Sequence, residues 1–145
     1  MADIGSGNLE PGDTSTEEVT VKECINPPNL PDPGRLNYSQ VVRKGNMVFL
    51  TGMVPEDAEG VLAGSDIRSQ TRKCLENMRE AMEAVGGSLE DVCYVTSYLP
   101  EKIRDFEAYN EVYGEFFPTN KPARATVEAG LDGILVEIQA IAMLD

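Results

Sequence analysis

The run Ile134-Leu135-Val136-Glu137-Ile138-Gln139-Ala140-Ile141-Ala142 near the end of the chain leaves little choice of architecture. It reads as a β-strand, and strand side chains alternate between two faces. Ile134, Val136, Ile138, Ala140 and Ala142 fall on one face. Leu135, Glu137, Gln139, Ile141 and Met143 fall on the other, which is too apolar to meet water comfortably. The strand therefore needs a layer on both sides. A chain of 145 residues is expected to build one domain with a single core. Only two helical segments can be read along it, enough to cover one face of a sheet. The second cover is expected to come from another copy of the chain, so the protein reads as an oligomer.

Two charges interrupt apolar strands near the end of the chain: Glu137, and Arg124 within Ala123-Arg124-Ala125-Thr126-Val127. A charge in a core-type strand is costly unless it is paired, neutralised or put to use. The pair reads either as a structural ion pair or as a site. In a site, the arginine binds a carboxylate through two parallel hydrogen bonds, and a shielded glutamate with a raised pKa moves a proton. Alternation places Arg124, Thr126 and Glu128 on one face of their strand. If the last two strands pair around the turn at 130–133, Arg124 and Glu137 lie near one another.

Composition removes several classes of chemistry. A net charge of −13 with no basic run argues against a nucleic-acid surface. The chain has no histidine, which excludes Ser-His and Cys-His catalysis and His-ligated metals. Glycines 45, 60, 64, 86 and 87 form no phosphate-binding pattern, and no metal site or dinucleotide fingerprint is seen, so no cofactor is expected. Cys24, Cys74 and Cys93 lack metal-site spacing, and Cys74 and Cys93 read as small core residues. No signal-peptide pattern or membrane-length run is present, and the expected location is the cytoplasm.

Residues 1–19 are polar, with five acids and no base, and read as a disordered acidic tail. The folded domain is expected over 20–145, where 20 acids face 12 bases, a net of −8. Val21 to Ile25 reads as a short edge strand, followed by a loop at 26–34 with four prolines. Tyr38 to Arg43 and Asn46 to Gly52 read as a hairpin around Lys44-Gly45-Asn46. Ile67, Thr71, Cys74, Leu75, Met78, Met82 and Val85 define one face of a helix over 66–85, with Ser65 as its cap and Gly86 as its stop. A strand over 91–99 follows. A second helix over 103–117 carries the stripe Ile103, Phe106, Tyr109 or Asn110, Tyr113 and Phe116. Strands at 123–129 and 134–144 close an α+β domain.

Weaker candidates are Tyr38, as a ligand anchor or a half-buried structural tyrosine, and Thr51-Gly52, as a hydroxyl beside an approachable backbone or a bulge. Asn110 either binds a ligand or satisfies a backbone group.

The matching stretches Asn26-Pro27-Pro28, Tyr38-Ser39-Gln40, Gly45-Asn46, Phe49-Leu50-Thr51-Gly52, Gln70-Thr71, Asn77-Met78, Tyr109-Asn110 and Tyr113 to Phe117 resemble the Rid (reactive intermediate deaminase) family, also called the YjgF or L-PSP type. Pro122-Ala123-Arg124 and Val136 to Ala142 are its more specific motifs. The resemblance covers residues 22–144. It implies a chorismate-mutase-like α+β fold, a mixed sheet with two helices packed on one face, assembled as a homotrimer with clefts between subunits. It also implies cofactor-free hydrolysis of reactive enamines and imines of the 2-aminoacrylate type to 2-oxo acids and ammonia. By this resemblance Arg124 takes the substrate carboxylate and Glu137 positions or activates water. Tyr38, Thr51, Gly52, Asn110 and the position of Thr126 line the cleft.

Two departures bear on substrate preference: Leu36-Asn37 precede Tyr38 where many relatives have Gly-Pro, and Thr126 stands where the family has a cysteine. The chemistry is consistent, because an imine carbon is already electrophilic and needs neither metal nor histidine. The alternative implied by the same resemblance is a small-ligand-binding or chaperone-like trimer with little catalysis. Ribonuclease activity also attaches to the family, but the acidic chain without histidine disfavours it.

Overall fold

The computed structural model describes residues 21–145. The tail expected over 1–19 lies outside the described residues. Six strands form one sheet: β1 (Glu23–Ile25), β2 (Val41–Lys44), β3 (Met47–Met53), β4 (Val92–Leu99), β5 (Ala123–Glu128) and β6 (Glu137–Met143). Helix α1 (Ile67–Glu83) joins β3 to β4, with one 3-10 turn at Leu89–Asp91, and helix α2 (Lys102–Phe116) joins β4 to β5. The α+β class and the two helices on one face are as the sequence implies.

The sheet order is β1-β2-β3-β6-β4-β5. β4 and β5 are parallel and every other pairing is antiparallel. A helix connection returns the chain parallel to the strand it left, so α2 places β5 beside β4 at the sheet edge. The last strand then fills the slot between β3 and β4, antiparallel to both. The last two strands are therefore not a hairpin, and β4 separates them.

Helix α1 forms as its periodicity requires. Cys74, Leu75, Met78, Ala81 and Met82 are fully buried and Val85 nearly so, packed on Val48, Val95, Ile138, Ala140 and Ala142 of the sheet. Asp66, not Ser65, caps the helix, because its carboxylate reaches the Ser69 backbone N–H at 2.8 Å. That bond and the Ser69 hydroxyl hold the Asp66 carboxyl below its ordinary pKa. At the other end Gly86 takes φ +77°, and the Gly87 N–H closes on the Met82 carbonyl at 2.9 Å.

Two side chains depart from the core assigned to them. Cys93 is exposed because the pairing of β4 with β6 shifts between Val92 and Tyr94, a bulge that takes it out of the alternation. Ile103 is 95% exposed: it lies in the first turn of α2, at the rim of an open groove beside Thr126 and not in the core. Tyr109, Val112 and Tyr113 make the buried stripe instead, with Phe106 and Phe116 partly buried beside it. Among the described residues no helix is long and apolar enough to cross a membrane.

The face of the sheet away from the helices carries Phe49, Tyr94, Val127, Ile141 and Met143, and all but the half-buried Ile141 are exposed. The apolar second face of the last strand is thus uncovered within one chain.

Candidate active site: two half-sites on opposite faces of the sheet

Residues directly opposite in neighbouring strands point to the same face. Arg124 lies opposite Val95, which lies opposite Ala140, and both of those are buried under the helices. Glu137 lies opposite Tyr98, which lies opposite exposed Val127 on the uncovered face. Arg124 and Glu137 of one chain therefore project from opposite sides of the sheet. This overturns the structural ion pair within a chain. The Arg–carboxylate bridges among the described residues are Arg68–Glu111, Arg72–Glu115 and Arg104–Asp105.

The first half-site is built around Arg124 where α2 crosses the edge strand. Its guanidinium donates to the Asn110 Oδ1 at 2.9 Å. Its Cζ lies 4.5 Å from the Tyr113 ring centroid, 5.5 Å from Tyr109 and 5.7 Å from Phe106. Three ring faces and one amide hold the cation without neutralising it, and the rest of its donor fork stays available. Two grooves meet at this side chain. One, of about 320 Å³, is lined by Asn110, Gly114, Lys121 and Pro122, and the other, of about 580 Å³, by Ile103, Phe106 and Thr126.

The second half-site gathers Glu137, Gly52 and Tyr38. Glu137 opens β6 and is half-buried, and desolvation raises its carboxyl above the usual glutamate value. Gly52 lies in the irregular pairing between Leu50 and Met53. A Cβ at that position would come within 2.6 Å of the Glu137 Cδ, so only glycine lets the carboxylate pack there. Tyr38 is 41% exposed. Burial raises its phenol pKa, and the charges of Glu137, Glu56 and Asp32 raise it further. Asn37 before it has φ +60°, a left-handed conformation that asparagine tolerates. The Thr51 N–H donates to the Gln40 carbonyl at 2.9 Å, tying this strand end to the segment after Tyr38.

Helix α1 supports this second group with two buried amides. Gln70 accepts from the Leu135 N–H at 2.8 Å and donates to the Gly64 carbonyl at 2.9 Å. Asn77 donates to the carbonyls of Val54 and Glu56, both at 2.9 Å. The two amides hold the backbone just before Glu137 and just after Gly52. Sequence reasoning overlooked their role and that of the aromatic cradle. The available signal was a glutamine and an asparagine at the edge of an apolar helical stripe.

The candidates thus separate into two groups: Arg124, Asn110 and Thr126 on one side, Glu137, Gly52, Thr51 and Tyr38 on the other. The first group can grip an anion and the second can hold a proton-accepting carboxylate.

Residues 31–144 match the family described as Endoribonuclease L-PSP. A RutC family protein of Pyrococcus horikoshii is 44% identical over 84% of this chain and 98% of its own. The 3-aminoacrylate deaminase RutC of Acinetobacter baylyi is 36% identical over 83% of this chain and 97% of its own. Among solved structures, Escherichia coli TdcF with bound serine superposes with a TM-score of 0.78 at 30% identity, covering 85% of this chain and 99% of its own. By sequence and by fold, this chain belongs to the L-PSP family, the YjgF/Rid group of proteins.

Proposed function

We propose that the protein hydrolyses reactive enamine and imine acids of the 2-aminoacrylate type to 2-oxo acids and ammonia, in clefts formed between the subunits of a homotrimer. The observation that carries this reading is the Arg124 guanidinium, held by aromatic rings and Asn110 with no carboxylate partner among the described residues. The name of the 36% identical deaminase and the serine in the TdcF structure support a small amino-acid-like carboxylate as the ligand.

In this mechanism the Arg124 fork fixes the substrate carboxylate and orients the imine. Glu137 of an adjacent copy accepts a proton from water as its oxygen bonds to the imine carbon. The proton passes to nitrogen to give a carbinolamine; its hydroxyl proton then moves by way of the same carboxylate to the amine as the C–N bond breaks and C=O forms, so ammonia leaves with the 2-oxo acid behind. A second copy is required because Glu137 and Arg124 of one chain face opposite ways. The uncovered apolar face around Phe49, Tyr94 and Met143 supplies a reason for copies to associate.

The protein should accelerate ammonia and 2-oxo acid release from enzymatically generated imines above their spontaneous hydrolysis. Light scattering should give about three times the 15.8 kDa chain mass. A stable monomer sinks the composite cleft. A trimer that binds 2-oxo acids without turnover selects the ligand-binding alternative.

The rate should also fall as pH drops, because a base must be ionised to accept a proton. Burial raises the Glu137 pKa, so the acid limb should lie at higher pH than for a free glutamate. Glu137→Gln should lose that limb together with most of the rate. An unchanged limb in this variant would assign the base to another group.

Gly52→Ala should fold, since the atoms its methyl displaces belong to the flexible Glu137 side chain. With that carboxylate pushed aside, turnover should fall at least about tenfold at an almost unchanged melting temperature. Full activity would show that the close contact has no catalytic consequence.

A further inference from the structure

The narrower of the two grooves that meet at Arg124 carries a second cation. Lys121 stands three residues before Arg124, so at most about 11 Å of backbone separates them. Both line the 320 Å³ groove, and no carboxylate lines it with them. The α2 acids that follow Asn110 and Gly114 in sequence are engaged elsewhere. Glu111 pairs with Arg68 of α1 at 2.6 Å, and Glu115 pairs with Arg72 at 2.8 Å. Neither Lys121 nor Arg124 has a carboxylate within ion-pair distance among the described residues. In a chain of net charge −13, that leaves two neighbouring cations without a counter-charge.

The Lys121 ammonium is also held in place. It donates to the Phe117 carbonyl at 2.8 Å and to the Pro118 carbonyl at 3.2 Å, just past the end of α2. An ammonium has three protons, so one donor remains. The two carbonyls fix its position without cancelling its charge. Gly114 supplies an independent observation on the same groove. It lies within α2, where glycine is less stable than alanine. Nothing stands within 4 Å of where its Cβ would be, so packing inside the chain does not require a glycine there. Its bare backbone leaves the groove wider along the helix wall.

We propose that Lys121 is a specificity-determining residue that takes a second carboxylate, so that the site prefers imino acids with an acidic side chain. The α-carboxylate lies on the Arg124 fork, and the side-chain carboxylate accepts the remaining proton of Lys121. This deepens the reading of Arg124 as the carboxylate anchor and rests on it.

The experiment uses full-length protein, with 2-oxoglutarate and 2-oxobutanoate as binding probes and imines generated enzymatically from glutamate and alanine as substrates. Wild-type protein should bind 2-oxoglutarate at least about tenfold more tightly than 2-oxobutanoate, because one more charge-assisted contact forms. The kcat/KM ratio of the two imines should lean the same way. Lys121→Met should lower both preferences about tenfold, and Lys121→Arg should keep most of them. A wild-type protein without a preference for the diacid would overturn the proposal. So would Lys121→Met with equal losses for both probes and a lowered melting temperature, the mark of a lysine that only caps α2. Dissociation of the Lys121→Met protein would assign the ammonium to the contact between copies, which overturns it as well. Lys102, at the wider groove, is the control cation. A preference lost in Lys102→Met and kept in Lys121→Met would overturn the role of Lys121. Should Lys121→Met not fold, Gly114→Leu narrows the same groove from the helix side, and its preference must fall. Wild-type protein that binds both probes and hydrolyses neither imine would overturn the deaminase reading alone, and the Kd ratios then still decide the role of Lys121. Protein that binds neither probe would overturn both.

Discussion

Arg124→Lys should lose most deaminase activity while remaining folded and assembled. Lysine keeps the charge but has no planar fork to hold a carboxylate at two points, and it lies less well on an aromatic face. The position makes this a test of ligand binding. In the folded chain Arg124 has one amide partner, three ring neighbours and no carboxylate among the described residues. Arg124→Ala should cost more, at least about 2–4 kcal/mol of transition-state stabilisation, because a charge-assisted contact is removed outright. Melting curves and initial rates on the same samples distinguish the cases. Near-normal rates in the folded variants would show that Arg124 only braces α2 against the edge strand.

Mixing two inactive variants should restore activity. If each cleft takes Arg124 from one subunit and Glu137 from the next, trimers containing both Arg124→Ala and Glu137→Ala chains keep some clefts intact. Every mixed trimer keeps both wild-type side chains in one cleft of its three, so about one third of the activity should return in mixed trimers. Co-expression with two affinity tags and sequential purification isolates the mixed trimers. No recovery in them would mean that both residues act within one chain, against the geometry of the sheet.

Much of the fold was legible in the residues because the governing patterns are local. The 3.6-residue repeat of α1 and the two-residue alternation of β6 each assign faces without reference to the rest of the chain, and Thr71 to Met82 and Val136 to Ala142 bury as those repeats require. The misreadings occur where a local rule is interrupted. Cys93 follows strand alternation until a bulge shifts it outward, and Ile103 follows the α2 period into a first turn that borders an open groove instead of the core. Bulges and helix offsets depend on what lies opposite, which a single segment does not encode.

The candidate site divides in the same way. Sequence by itself determined which residue types stand on which face of each strand: a guanidinium with a threonine on one, a carboxylate amid apolar neighbours on another. It also determined that no histidine takes part and that one apolar face would be left without a cover in the chain. Only the tertiary structure decided that Arg124 and Glu137 of one chain point apart. Face assignment within a strand is a matter of backbone pleat, set residue by residue. Which face of one strand joins which face of another depends on the order of strands in the sheet. Here two helical crossovers set that order, placing β5 parallel to β4 and leaving β6 to enter between β3 and β4.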